Sequence, residues 1–121
     1  MLNLDAPLDE DICRHRPPLA KRPLVEPGEC EQLASLFKVF ANPHRLRLLH
    51  ALVRAGEIRV GDLAATLGLK VQAVSNQLQR LADQGLVAAR REGQNIFYRI
   101  INPCVPEILD HGLCLVETTG R

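Results

Sequence analysis

This 121-residue chain predicts a mainly α-helical domain with a β-hairpin wing, that is, a winged helix-turn-helix. Three features lead to that expectation. Two amphipathic helical segments, residues 59–68 and 69–85, are joined by a very short turn. A hairpin pattern follows directly, over residues 86–100. Further helical apolar stripes stand before and after this unit.

The elements follow in order. Residues 1–27 hold five of the eight prolines (Pro7, Pro17, Pro18, Pro23 and Pro27) and few large apolar side chains, which predicts an extended arm preceding a domain of residues 28–121. From Glu29, "ECEQLASLFKVFA" places Leu33, Leu36, Phe37 and Phe40 at helical spacing, a stripe facing a core. "NPHR" interrupts it, because Asn42 suits an N-cap and Pro43 a first helical position. Leu46, Leu49, Leu52 and Val53 then mark a second helix that stops at Gly56.

"RVGDLAATLG" predicts a short third helix with Leu63, Ala64 and Leu67 on one side and Gly68 as its stop. The fourth turns Val71, Val74, Leu78 and Leu81 inward and Gln72, Ser75, Asn76 and Gln79 outward. "LVAARREGQNIFYRI" reads as two strands about a Glu92-Gly93-Gln94-Asn95 turn. From Pro103 a last helix carries Val105, Ile108, Leu109, Gly112, Leu113 and Val116 on a broad apolar face.

Composition bounds the function. With 46% apolar and 24% charged residues the chain is an ordinary globular domain, long enough to bury about two-thirds of its unfolded surface. No run of about 18 apolar residues occurs, and the acidic start lacks the pattern of a signal peptide, so a cytoplasmic, non-membrane protein is expected. There thiols stay reduced, which points the four cysteines toward ligation, sensing or packing and away from a disulfide framework. No phosphate loop, GxSxG elbow, paired-carboxylate cleft or HExxH is present, and an enzyme is not expected.

The net charge of +1 is uninformative, but its placement is not. Between Lys70 and Arg99 stand Lys70, Arg80, Arg90, Arg91 and Arg99 against only Asp83 and Glu92. A helix with an outward polar row, beside a basic ribbon, suits the major groove and the adjoining phosphates of double-stranded DNA. So modest an excess fits two copies on DNA better than one.

At this point the residues resemble a known family. "FKVFANPHRLRLLHALV" followed by "GDLAATLGLKVQAVSNQLQRLADQGLVAARREGQNIFYRI" is similar to the ArsR/SmtB type of metal-sensing transcriptional repressor. The resemblance covers residues 31–101. It implies a homodimer, built through the first and last helices, that holds operator DNA until an inducer binds. Carried onto this chain, it assigns DNA contacts to Gln72, Ser75, Asn76 and Gln79, with Arg91 and Gln94 on the wing, and the local basic charge adds Lys70 to them. Many members carry Cys-Val-Cys-Asp where this chain has "RVGD", so Arg59 and Gly61 replace two thiolates and that site is absent. A second ligand group, on the last helix, survives only in altered form at Asn102 and Cys104.

Cys104 and Cys114 lie ten residues apart, about 15 Å along a helix axis and about 80° around it, which forbids a shared ligand within one straight helix. If the last helices of two protomers run antiparallel, Cys104 of one chain approaches Cys114 of the other. Cys30, from either chain, supplies a third thiolate. Three sulfurs favour a soft, thiophilic ion, As(III) or Sb(III) foremost, with Cd(II), Pb(II) and Hg(II) as alternatives. Zn(II) would call for a fourth ligand, from Cys13, His15 or His111. Taken singly, each thiol also fits plain packing. A thiol-redox or persulfide sensor using Cys104 and Cys114 keeps the same fold, and a constitutive architectural winged helix is a third reading.

Overall fold

The computed structural model describes residues 16–120. A 3-10 turn at Leu19–Lys21 is followed by α1 (Pro27–Phe40), α2 (Pro43–Ala55), β1 (Glu57–Arg59), α3 (Val60–Leu67), α4 (Val71–Asp83), β2 (Val87–Glu92), β3 (Asn95–Ile100) and α5 (Cys104–Thr118). The winged helix-turn-helix expected from the sequence is the observed architecture.

Local chemistry explains most boundaries. α1 begins at Pro27, two residues before the sequence-predicted start, because Glu26 and Glu29 form a reciprocal capping box that satisfies backbone donors at the helix head. Pro27 is thus the first helical residue and not the end of the arm. Asn42 caps α2 as predicted, its Oδ1 accepting from the amides of His44 at 2.9 Å and Arg45 at 3.2 Å. α3 ends on Gly68, whose left-handed φ of 68° lets the Leu69 amide reach back to the Ala64 carbonyl at 3.0 Å. That reversal sets the short link to α4.

The sheet corrects the sequence reading. Its order is β1-β3-β2, all antiparallel, so the expected two-stranded hairpin has a third strand, Glu57–Arg59, on the outer side of β3. Arg59, assigned to the third helix from sequence, ends this strand, and α3 starts at Val60. Three residues are too few to show the alternation that betrays a strand. The wing turn is the predicted Glu92-Gly93-Gln94-Asn95 turn: Glu92 pairs with Asn95, leaving Gly93 and Gln94 as its two-residue loop. Only Gly93 takes a positive φ, 63°, which is the two-residue arrangement with glycine first.

The core gathers Phe40 from α1, Leu48, Leu49 and Leu52 from α2, Leu63, Ala64 and Leu67 from α3, and Val74, Leu78 and Leu81 from α4. Leu86, Val87, Tyr98 and Val105 close it. Several residues predicted to face inward do not. Leu46 and Val53 are exposed on α2, where Leu48 takes the buried place, and Val71 is exposed at the head of α4. Leu33 and Phe37 on α1 are about half exposed, as are Leu113 and Val116 on α5, where Val105 alone is buried. The apolar faces of α1 and α5 are real, but the described residues cover them only in part: Phe40, Val105 and their neighbours reach the core, while Leu33, Phe37, Leu113 and Val116 stay half exposed.

Candidate functional site

Two regions carry the residues singled out by sequence. The first is the polar side of α4 and the wing. Lys70, the N-cap of α4, is exposed, as are Gln72, Asn76 and Gln79, while Ser75 is half-buried. Gln72 Nε2 donates to Asn76 Oδ1 at 3.0 Å, one helical turn on, so the two amides form an interlocked pair. Each keeps unused hydrogen-bonding capacity pointing outward. Gln77, half-buried, serves structure instead, accepting from Arg45 Nε at 2.8 Å.

The wing tip folds back beside the start of α4. A notch of about 410 Å³ is lined by Val71, Gln72, Ser75, Gln94 and Asn95, with Arg59 and Asp62 on its far wall. Gln72 and Ser75 from α4 and Gln94 from the wing therefore share one concavity, although some 19 residues separate them in sequence. Asn76, Gln79, Lys70 and Arg91 lie outside it.

Arg59 and Asp62 form a two-pronged ion pair, Nε to Oδ2 at 2.9 Å and Nη2 to Oδ1 at 3.2 Å. This pairing holds the Asp62 carboxyl below its usual range. Where the resemblance has two thiolates replaced by Arg59 and Gly61, the structure holds a salt bridge.

Adjacent arginines on β2 behave differently. Arg91 is exposed and has its Cα partner in Ile96, whereas Arg90 pairs with Phe97, and neighbouring positions on a strand face opposite ways. Arg90 is fully engaged: Nη2 and Nε donate to Glu57 Oε1 at 2.6 and 3.2 Å, and Nη1 to Glu92 Oε2 at 2.6 Å. Counting Arg90 among available cations, as the sequence invited, overstates the wing's basicity. Glu57 was not singled out from sequence, because its role depends on a strand too short to read.

The second region is the pair of terminal helices. Cys30 sits in the first turn of α1 and is exposed. Cys104 opens α5, half-buried, and Cys114 is exposed near its end. Both lie on one 15-residue helix, so the axial separation expected from the sequence stands. Among the described residues, no three His, Cys, Asp or Glu side chains converge within one protomer. Asn102 acts as a cap, its Oδ1 accepting from the Cys104 amide at 2.9 Å. His111, His44 and His50 are exposed, and Cys13 and His15 lie outside the described residues. An apolar groove of about 420 Å³ runs between α2 and α5, lined by Leu46, His50, Leu109, Leu113 and Val116. No helix of the described residues is long and apolar enough to cross a membrane.

Comparison with known proteins now bears on this geometry. The MarR family model matches residues 42–95, the helix-turn-helix and the wing up to its turn. The transcriptional repressor SmtB homolog of Synechocystis sp. PCC 6803 is 41% identical over 87 residues, 69% of this chain and 65% of that protein's length. The crystal structure of the AntR antimony-specific transcriptional repressor is 54% identical, with a TM-score of 0.76, covering 87% of this chain and 95% of AntR. The chain belongs to the ArsR/SmtB family. A further solved member-like structure, the homodimeric winged helix-turn-helix domain Mb0332 of Mycobacterium bovis, a possible ArsR-family regulator, is 31% identical with a TM-score of 0.67. It covers 82% of this chain and 91% of the M. bovis domain. As an ArsR/SmtB protein the chain is a transcription regulator and not an enzyme. The expected family and fold are thereby established, and the matched stretch is just under two-thirds of the Synechocystis repressor.

Proposed function

We propose that this ArsR/SmtB protein is a homodimeric repressor that leaves its operator when a thiophilic metalloid, Sb(III) or As(III), binds Cys30, Cys104 and Cys114 across the dimer interface. One observation carries the reading: all three thiols stand on α1 and α5, the two helices that leave Leu33, Phe37, Leu113 and Val116 about half exposed among the described residues. Exposed apolar surface of that extent marks an interaction site. The homodimeric M. bovis relative and the antimony-specific AntR support the partner and the inducer class.

The donor set fits the ion. Thiolates are soft ligands, and three of them suit a three-coordinate thiophilic species better than zinc, which calls for a fourth ligand. DNA would be read by Gln72, Ser75, Asn76 and Gln79 in the major groove, with Lys70, Arg91 and Gln94 on backbone and flanking positions. Drawing α1 and α5 together changes the spacing of the two α4 helices, and the inducer weakens DNA binding by the factor by which DNA weakens inducer binding.

The test is fluorescence anisotropy on a duplex selected by the wild-type protein from a random library. Antimonite, arsenite, cadmium and zinc are titrated against wild type and the Cys30→Ser, Cys104→Ser and Cys114→Ser variants. Metalloid-driven release in wild type, lost in all three variants with DNA affinity retained, is the expected result. Release by peroxide or polysulfide, with none by metalloid, would replace this reading with the redox one.

A further inference from the structure

The ion-pair cluster on the outer face of the sheet is absorbed by neither region. Arg90 lies on β2 and Glu57 on β1, the two outer strands, with β3 between them. The Arg90 guanidinium crosses the middle strand by lying over the Phe97 ring, 4.6 Å from its centroid, and reaches Glu57 on the far side. Glu92, next to the wing turn, holds the remaining nitrogen. Backbone register explains the fit: Arg90 and Arg59 both stand opposite Phe97, so all three share one face. β1 in turn runs without a break into α3, since Arg59 is the N-cap of that helix.

We infer that Arg90 is a positioning residue for operator binding: a clamp that ties the wing to β1, and through β1 to the helix-turn-helix, and that does not itself neutralise a DNA phosphate. The inference rests on the operator-binding reading above. Its physical basis is charge balance and geometry. A guanidinium held by two carboxylates and seated on a ring has no cation left to release a counterion from DNA. Exposed ion pairs add little to global stability, so the effect appears in the wing's orientation and not in the melting temperature. By parity Arg91 faces the other way and remains available to a phosphate.

The distinction is measurable through the salt dependence of binding. Removing a phosphate contact makes the slope of log affinity against log salt shallower by about one, whereas loosening a clamp lowers affinity at every salt concentration alike. The full chain is tested on the same selected duplex. Arg91→Ala serves as the phosphate-contact control. Arg90→Ala is expected to weaken binding about three- to tenfold with the slope unchanged.

Glu57→Gln provides a test of opposite sign. Removing an anion near DNA should tighten binding if electrostatics alone acts, whereas the clamp requires it to weaken. Circular dichroism melts establish that the variants fold. A slope shallower by about one in Arg90→Ala, unchanged affinity in that variant, or equal or tighter binding by Glu57→Gln would each overturn the clamp. Failure of the wild type to select any duplex would instead overturn the operator reading.

Discussion

The separation of Cys104 and Cys114 makes a prediction that mixed dimers decide. Ten residues of continuous helix place their Cα atoms about 15 Å apart along the axis. Two sulfurs on one ion, each about 2.3 Å from it, are at most about 4.6 Å apart, against about 2 Å in a disulfide. Since disulfides tolerate Cα atoms up to about 6.8 Å apart, a shared ion tolerates roughly 9 Å, well short of 15 Å. One chain therefore cannot supply both thiolates to one ion. In an antiparallel pairing of α5 helices each ion takes Cys104 from one chain and Cys114 from the other, which makes two equivalent sites per dimer. Neither Cys104→Ser nor Cys114→Ser homodimers keep a complete site. A dimer assembled from one chain of each kind keeps one, built from the two unmutated thiols, and loses the other. Carrying distinct affinity tags, such mixed dimers are isolated by two successive purifications. Their antimony content, by mass spectrometry of the metal, is expected at half the wild-type value, with both homodimers near zero. A mixed dimer that binds no more antimony than the single-variant homodimers would refute the trans arrangement.

Four further outcomes follow from the same structure. Leu78, fully buried at the centre of α4, should cost about 3 kcal/mol when truncated to Ala, seen as a fall of about 10 °C in the melting temperature. Leu113→Glu places a charge on the uncovered face of α5 and should leave a folded monomer in sedimentation, because Leu113 is already 52% exposed within the protomer. Gln72→Ala or Asn76→Ala, breaking the interlocked pair, should lower affinity for the selected duplex by about 1–3 kcal/mol while leaving binding to random DNA unchanged. The Glu57 carboxyl is held below its ordinary 4.5, first by hydrogen bonding to Arg90. A lowered folded pKa means that its stabilising contribution is complete above the ordinary value and is lost as pH falls through the depressed one. Carbon-detected NMR should therefore show the Glu57 carboxylate persisting below pH 4.5, and Arg90→Ala should bring its titration back up.

Much of this fold was legible because the signals are local. Asn42-Pro43, Gly68 and Gly93 act through backbone conformations that depend on a few neighbouring atoms, and each does in the structure what its chemistry predicts. The helical stripe of Val74, Leu78 and Leu81 is equally local and is buried as read. β1 escaped because three residues carry no periodicity, and its existence depends on β3, some forty positions away. Leu46 and Leu48 exchanged roles for a similar reason: both suit a helix, and only the angle at which α2 meets α3 and β3 selects which is inside. The candidate site was legible in its residue types and not in its pairings. Nothing in "ARRE" tells one arginine from the other until the sheet sets their faces.

The order of the helices and of the two hairpin strands, the helix stops, the polar row on α4 and the positions of the thiols are determined by the sequence alone, since each rests on spacing along a single element. The tertiary structure decided what those elements share. It brought Gln72, Ser75 and Gln94 to one notch, laid Arg90 across Phe97 onto Glu57, and left Leu33 and Phe37 on α1 and Leu113 and Val116 on α5 half exposed among the described residues. The physical reason is that contacts between distant segments depend on how whole faces pack, and the register of a sheet, once closed, assigns every side chain on it to one side or the other.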